Sequence, residues 1–140
     1  GSDGYTHVLD TEMLNEVATL YSDDAVNAVS WHPKKPVLVT GGKDAHLRFW
    51  NTETWKEIRA IPAHNFAIYD IEFNRSGTRC ITTSFDKTIK IWDTETFDVL
   101  HRIDHKEGGH RSSVNCALFD ERGQLWTASD DHKIKIWNIE

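Results

Sequence analysis

The sequence predicts an all-β protein of repeated four-stranded antiparallel meanders. Three observations carry this reading. Trp50, Trp92 and Trp137 lie 42 and 45 residues apart, and each closes a similar phrase: Asp44-Ala45-His46-Leu47-Arg48-Phe49-Trp50-Asn51, Asp86-Lys87-Thr88-Ile89-Lys90-Ile91-Trp92-Asp93, and Asp131-His132-Lys133-Ile134-Lys135-Ile136-Trp137-Asn138. Between them, apolar residues alternate in short runs rich in Val, Ile, Thr and aromatics, bounded by turn residues, the pattern of half-buried strands. No stretch keeps a helical period over three turns. Self-similarity at about forty residues marks a stacked repeat.

Gly1-Ser2 reads as the remnant of a cleaved tag and is set aside. Residues 3–22 parallel the end of a later unit: Val8-Leu9-Asp10-Thr11-Glu12 matches Ile91-Trp92-Asp93-Thr94-Glu95, with Leu9 in the Trp place. This segment reads as an outer strand with a remnant of the strand before it. Repeats 23–62, 63–106 and 107–140 follow, the last without its outer strand. Their register holds over the whole unit. Each has an Asp six residues before the Trp (Asp44, Asp86, Asp131), a Thr ten before (Thr40, Thr82, Thr127) and an apolar triplet upstream. The triplets are Val26, Val29, Trp31; Ile68, Ile71, Phe73; and Val114, Ala117, Phe119. The second repeat opens with Ala63-His64 and the third with Gly109-His110, whereas Ser22 holds that place in the first. Turn clusters such as Asn74-Arg75-Ser76-Gly77 and Asp120-Glu121-Arg122-Gly123 divide the runs, so the second repeat has predicted strands at 67–73, 78–84, 88–93 and 98–103.

These units, with an Ala-His or Gly-His opening, a turn Asp and a Trp-Asp or Trp-Asn close, resemble the blades of WD-repeat β-propellers. The resemblance covers about Tyr5 to Glu140. It implies three blades per chain and a structural hydrogen-bond relay in each. The relay residues are His64, Thr82, Asp86 and Trp92 in the second blade and His110, Thr127, Asp131 and Trp137 in the third, with Thr40, Asp44 and Trp50 alone in the first. Donor and acceptor arithmetic suits such a chain: an indole only donates, a carboxylate only accepts, and a hydroxyl and a neutral imidazole do both. Thr82, His64 and Asp86 also imitate a hydroxyl–His–Asp catalytic set. The imitation recurs in the third repeat, which points to structure and not to an enzyme. The resemblance further implies a protein- or peptide-binding face, with contact residues before the turn Asp and at the start of the innermost strand. Those positions are Lys43, Phe85 and Asp130, together with Asn27, Tyr69 and Asn115. Phe85 and Tyr69 are the candidate aromatic anchors.

Composition narrows the classes. Lys plus Arg number 16 against 22 Asp plus Glu, a net charge of −6, so the electrostatic footprint of nucleic-acid binding is missing. No apolar run approaches a membrane span and no signal peptide is visible, which suggests a cytoplasmic protein. Cys80 and Cys116 lack metal-ligand spacing and read as buried, reduced thiols. His101 and His105 fall in an outer strand and a polar loop, so neither a metal nor a cofactor is expected. Lys87, Lys90, Lys133 and Lys135 alternate with apolar residues as on the wet face of strands. Trp126 is expected between blades, and Trp55 partly exposed at the start of an outer strand.

Three blades cannot close a ring of the usual 4–8. The expected partner is another copy of the chain, its N-terminal outer strand completing the last blade: a dimer of six blades in preference to a trimer of nine. The alternative is a fragment of a longer propeller, or an assembly with no ligand of its own.

Overall fold

A computed structural model of the protein describes residues 1–139. Strands β1 (Tyr5–Leu9) and β2 (Glu16–Tyr21) form a hairpin. The first four-stranded sheet comprises β3 (Val26–Trp31), β4 (Val37–Gly42), β5 (His46–Asn51) and β6 (Glu57–Pro62). The second comprises β7 (Ile68–Phe73), β8 (Arg79–Ser84), β9 (Ile89–Asp93) and β10 (Val99–Ile103). A three-stranded sheet of β11 (Val114–Phe119), β12 (Leu125–Ser129) and β13 (Ile134–Trp137) ends the described residues. Every pairing is antiparallel between chain neighbours, which is the meander of a propeller blade. The strands of the second repeat each begin one residue later than the alternation suggests, the leading residue lying outside the ladder. The polar loop after β10 contains one turn of 3-10 helix, His105–Glu107, closed by a capping box between Asp104 and Glu107.

Three apolar layers hold the sheets face to face. Ala28, Val39, Leu47 and Phe49 of the first sheet meet Ile68, Ile71, Phe73, Cys80 and Trp92 of the second. Ile81, Ile89 and Ile91 on the other side of the second sheet meet Val114, Ala117 and Leu125. Leu38 and Trp50 meet Leu20 of the hairpin, with Val8, Ala18 and Trp55 packed around them. Each fully buried aliphatic side chain contributes about 1.5–3 kcal/mol.

Backbone geometry repeats as faithfully as the side chains. The turn residues Ala45, Lys87 and His132, each just after the relay Asp, have φ of 62°, 71° and 64°. Leu14, Trp55 and Phe97 have φ of 57°, 56° and 57°, each four residues after Asp10, Asn51 or Asp93. Those three Asx side chains accept from the two backbone N–H groups that precede each left-handed residue.

The structure details some expectations and corrects others. The N-terminal segment supplies two paired strands, and β2 is already bonded to β1 from Tyr21 to Glu16. Completion of the last blade by β2 would therefore require β13 to take the place of β1. Val26 N–H donates to the Gly1 carbonyl at 2.9 Å. Cys80 is buried, but Cys116 is exposed. The cause is the outer side of the last sheet. Ile89 and Ile91 are 0% and 2% exposed, whereas their counterparts one repeat on, Ile134 and Ile136, are 68% and 51% exposed. Cys116, Leu118 and Trp126 share that uncovered side, so Trp126 is half-buried and not enclosed between blades. Trp126 instead donates to Asp120 at 3.0 Å. Trp55 lies in the turn before β6, edge-on to Trp31 with ring centres 6.1 Å apart.

Candidate functional site

Two constellations arise from the repeat register: an interior relay and a loop face at one end of the strands. In the second sheet, Trp92 Nε1 donates to Thr82 Oγ1 at 2.9 Å, and Thr82 Oγ1 lies 2.7 Å from His64 Nε2. His64 Nδ1 lies 2.9 Å from Asp86 Oδ2. The carboxylate can only accept, so Nδ1 carries the proton and Nε2 receives the Thr82 hydroxyl proton. Asn65 N–H donates to Asp86 as well, which ties the loop carrying His64 to the turn after β8. Burial pushes the His64 pKa down despite the Asp86 contact, which keeps the ring neutral as this chain requires. Burial alone would raise the Asp86 pKa, but bonds from His64, Thr88 and Asn65 hold it well below the usual carboxylate range.

The last sheet repeats the set. Trp137 donates to Thr127 at 2.9 Å, His110 Nε2 lies 2.9 Å from Thr127 Oγ1, and His110 Nδ1 lies 3.0 Å from Asp131. In the first sheet Trp50 donates to Thr40 at 3.0 Å, but among the described residues no imidazole reaches the Asp44 carboxylate, which accepts from the backbone N–H of His46 at 3.1 Å. Arg48 takes over. Its guanidinium bonds Asp44 at 2.5 Å and Asp23 at 2.8 Å, with Glu57 at 3.4 Å, from a side chain that is buried. Burial works against the charged form, but the Asp44 hydrogen bond and the three carboxylates outweigh it and raise the Arg48 pKa.

Sequence reasoning missed Arg48 and misread its counterparts. Lys90 and Lys135, assigned to a wet strand face, donate to the carbonyls of Ala63 and Gly108 beside the relay histidines. Each ammonium also lies over its own Trp ring, at 5.6 and 6.0 Å. The signal lay in the constant cation two residues before each Trp.

The loop face holds the expected contact residues. Register shifts in the β3–β4, β7–β8 and β11–β12 ladders fall at Asn27, Tyr69 and Asn115, which makes each the extra residue of a bulge. A bulge leaves its residue outside the ladder and re-aims the side chain. Asn27 donates to the Ile68 carbonyl at 3.0 Å, and Asn115 donates to Asp130 at 2.7 Å. Lys43 and Asp130 are exposed on the neighbouring turns. Tyr69 and Phe85 stand edge to face with centres 6.2 Å apart, and Phe66 joins Phe85 at 5.9 Å. Phe66 and Phe85 are 58% and 49% exposed, so this cluster is open to solvent. Phe66 was not singled out by the sequence because its position has no recurring partner in the other repeats. His101 and His105 are exposed and apart from the relay histidine His110. No helix among the described residues is long and apolar enough to cross a membrane.

Meander sheets stacked in register and pinned by a Trp–Thr–His–Asp relay define a propeller-blade repeat protein. The chain belongs to the WD-repeat family: the profile described as WD domain, G-beta repeat, matches residues 14–51, 55–93 and 101–138. It is 29% identical over 133 residues to Protein HIR1 of Cryptococcus neoformans, covering 83% of this chain and 15% of that one. It is 28% identical over 145 residues to the Ribosome biogenesis protein WDR12 homolog of Trichoplax adhaerens, covering 82% and 33%. Polycomb protein esc of Drosophila virilis is 31% identical over 110 residues, covering 74% and 26%. The chain thus spans a third or less of these relatives' lengths.

Proposed function

We propose that the protein is a non-catalytic scaffold that binds a protein or peptide through the loop face at the Phe66, Tyr69 and Phe85 cluster. The observation that carries this reading is an aromatic trio held edge to face and yet half open to solvent. Clustered aromatics that a soluble surface leaves uncovered are the usual anchors of interface hot spots. Lys43, Asn27, Asn115 and Asp130 supply polar contacts around them. The relay serves structure. Thr82 is fully buried and its hydroxyl is already engaged on both sides, so no substrate reaches it. Selection of a displayed peptide library against the chain tests the proposal: selected peptides should lose most of their affinity for Phe85→Ala or Phe66→Ala variants of unchanged Tm. Undiminished binding would remove the cluster from the site.

A second reading, that the open sides of the stack are covered by further blades, rests on the exposure of Ile134 and Ile136 at places where Ile89 and Ile91 are buried. Val29 and Trp31 are likewise open on the opposite side. The occupant is a second copy of the chain, in a six-bladed dimer or a nine-bladed trimer, or the remainder of a longer propeller. Sedimentation equilibrium of the chain by itself separates these: a multiple of the chain mass supports self-association, and a single-chain mass at all concentrations rejects it.

A further inference from the structure

The junction between the two four-stranded sheets and the junction between β7–β10 and β11–β13 occupy equivalent places in the repeat, yet they are filled differently. At the first, His32 follows β3 and bridges the gap. Its Nδ1 accepts from the backbone N–H groups of Lys34 and Lys35, both at 3.1 Å, so Nε2 holds the proton and donates it to the Gly77 carbonyl at 3.1 Å. The Thr94 hydroxyl donates to the same carbonyl. Space there is tight: a Cβ at Gly77 would lie 2.7 Å from the His32 ring.

One repeat later Asn74 stands in the place of His32, Gly123 in that of Gly77 and Ile139 in that of Thr94. Asn74 spends its amide within its own turn, donating to Thr78 at 3.1 Å and accepting from Arg79 N–H at 2.9 Å. Among the described residues nothing replaces the bridging imidazole, and a Cβ at Gly123 would meet no atom within 4 Å beyond its chain neighbours. The gap opens into a cleft of about 530 Å³ between the turn after β7 and the turn after β11. That volume lies within the range of ligand pockets.

Its walls are unusual for a chain of net charge −6. Three of the seven arginines, Arg75, Arg79 and Arg122, line it. Among the described residues no carboxylate pairs with Arg75 or Arg122, and Arg79 only approaches Asp93 at 3.5 Å. Two acidic groups share the wall, and one of them is engaged. Asp120 already accepts from Arg122 N–H, Gln124 N–H and Trp126 Nε1, at 2.8, 2.9 and 3.0 Å. Glu121 stands exposed. Phe119 and Ile139 add apolar surface. Planar guanidinium groups present paired donors that match the oxygens of carboxylate and phosphate.

We propose that this cleft is a second binding site, which takes a carboxylate or phosphate group of a peptide with an apolar residue beside it. It lies at the far end of β7 from Tyr69, about 15 Å along the strand. It therefore stands or falls separately from the aromatic face.

Fluorescence-labelled alanine-based peptides with a central phosphoserine-leucine, glutamate-leucine or serine-leucine pair test it on the full chain, followed by polarisation. The two acidic peptides should bind and the serine peptide should not, with added salt weakening the complex. A phosphoserine preference assigns the site to phosphate, and equal binding assigns it to any oxyanion. An Arg75→Glu, Arg122→Glu variant of unchanged Tm should bind at least about ten-fold more weakly, while Phe85→Ala should bind as the parent does. No saturable binding of either acidic peptide would overturn the site, as would binding that the double variant leaves unchanged.

Discussion

A buried threonine hydroxyl that accepts a hydrogen bond from an indole and donates its own to an imidazole is engaged both as donor and as acceptor. Removing one member of such a chain leaves its neighbours unpaired where water does not reach. His64→Ala should lower unfolding free energy by about 1–3 kcal/mol in urea or thermal unfolding, because Thr82 and Asp86 lose their shared partner. A neutral result would show that the relay is not what secures the second sheet. Glu72 presents the opposite case, a carboxyl whose surroundings disfavour its charge. Burial first, and the neighbouring Asp70 second, push its pKa up to about 7. Its folded pKa thus exceeds its unfolded value of 4.5, so stability falls as pH rises from about 4.5 to about 7 and then levels. Glu72→Gln should raise Tm at pH 8 and leave it nearly unchanged at pH 4, outside the window in which the folded and unfolded forms differ in protonation. A Tm gain equal at both pH values would show that charge is not the cause.

At the level of strands and turns, the repeat is written twice, once in side chains and once in φ angles. Three turn residues after the relay Asp adopt left-handed backbone without being glycine. Lys87 is the cleanest of them, since it is exposed while Ala45 is buried. Lys87→Gly should stabilise the protein by about 0.5–1 kcal/mol, the lost Cβ strain exceeding the added freedom of the unfolded chain; a lower Tm would place the side chain in a contact worth more than the strain. The strands and the Trp–Thr–His–Asp positions were legible in the sequence because a buried polar chain tolerates only matching donors and acceptors, so the same residue types recur at fixed spacing. Arg48 was visible as the recurring cation two residues before the Trp, but its full ion-pair network was not legible. Its role depends on Asp23 and Glu57, which sit in different turns and strands and have no equivalents in the other repeats. The cleft beside Asn74 was hidden for a related reason: Asn74-Arg75-Ser76-Gly77 reads as an ordinary turn, and only the contrast with His32 reveals that a bridge is missing.

For the whole molecule, alternation identifies the two sides of each strand but cannot state which side a neighbour covers. Cys116 illustrates this. It sits in a strand whose opposite face, with Val114 and Ala117, is sealed against the second sheet, while its own face is open. Cys80 lies inside the layer between the two four-stranded sheets, where burial pushes its thiol pKa far up and suppresses the reactive thiolate. Under native conditions one thiol per chain should therefore react quickly with a thiol reagent and the second only after unfolding. The same reaction reports on association. If a further copy covers the side bearing Cys116, Leu118, Ile134 and Ile136, labelling should slow as chain concentration rises, in parallel with the mass in sedimentation. The urea-unfolded chain should meanwhile label at one rate throughout. A Cys116 rate independent of concentration, together with a single-chain mass, would mean that copies of this chain do not cover that face. The exposed isoleucines would then belong to an interface with some other propeller segment.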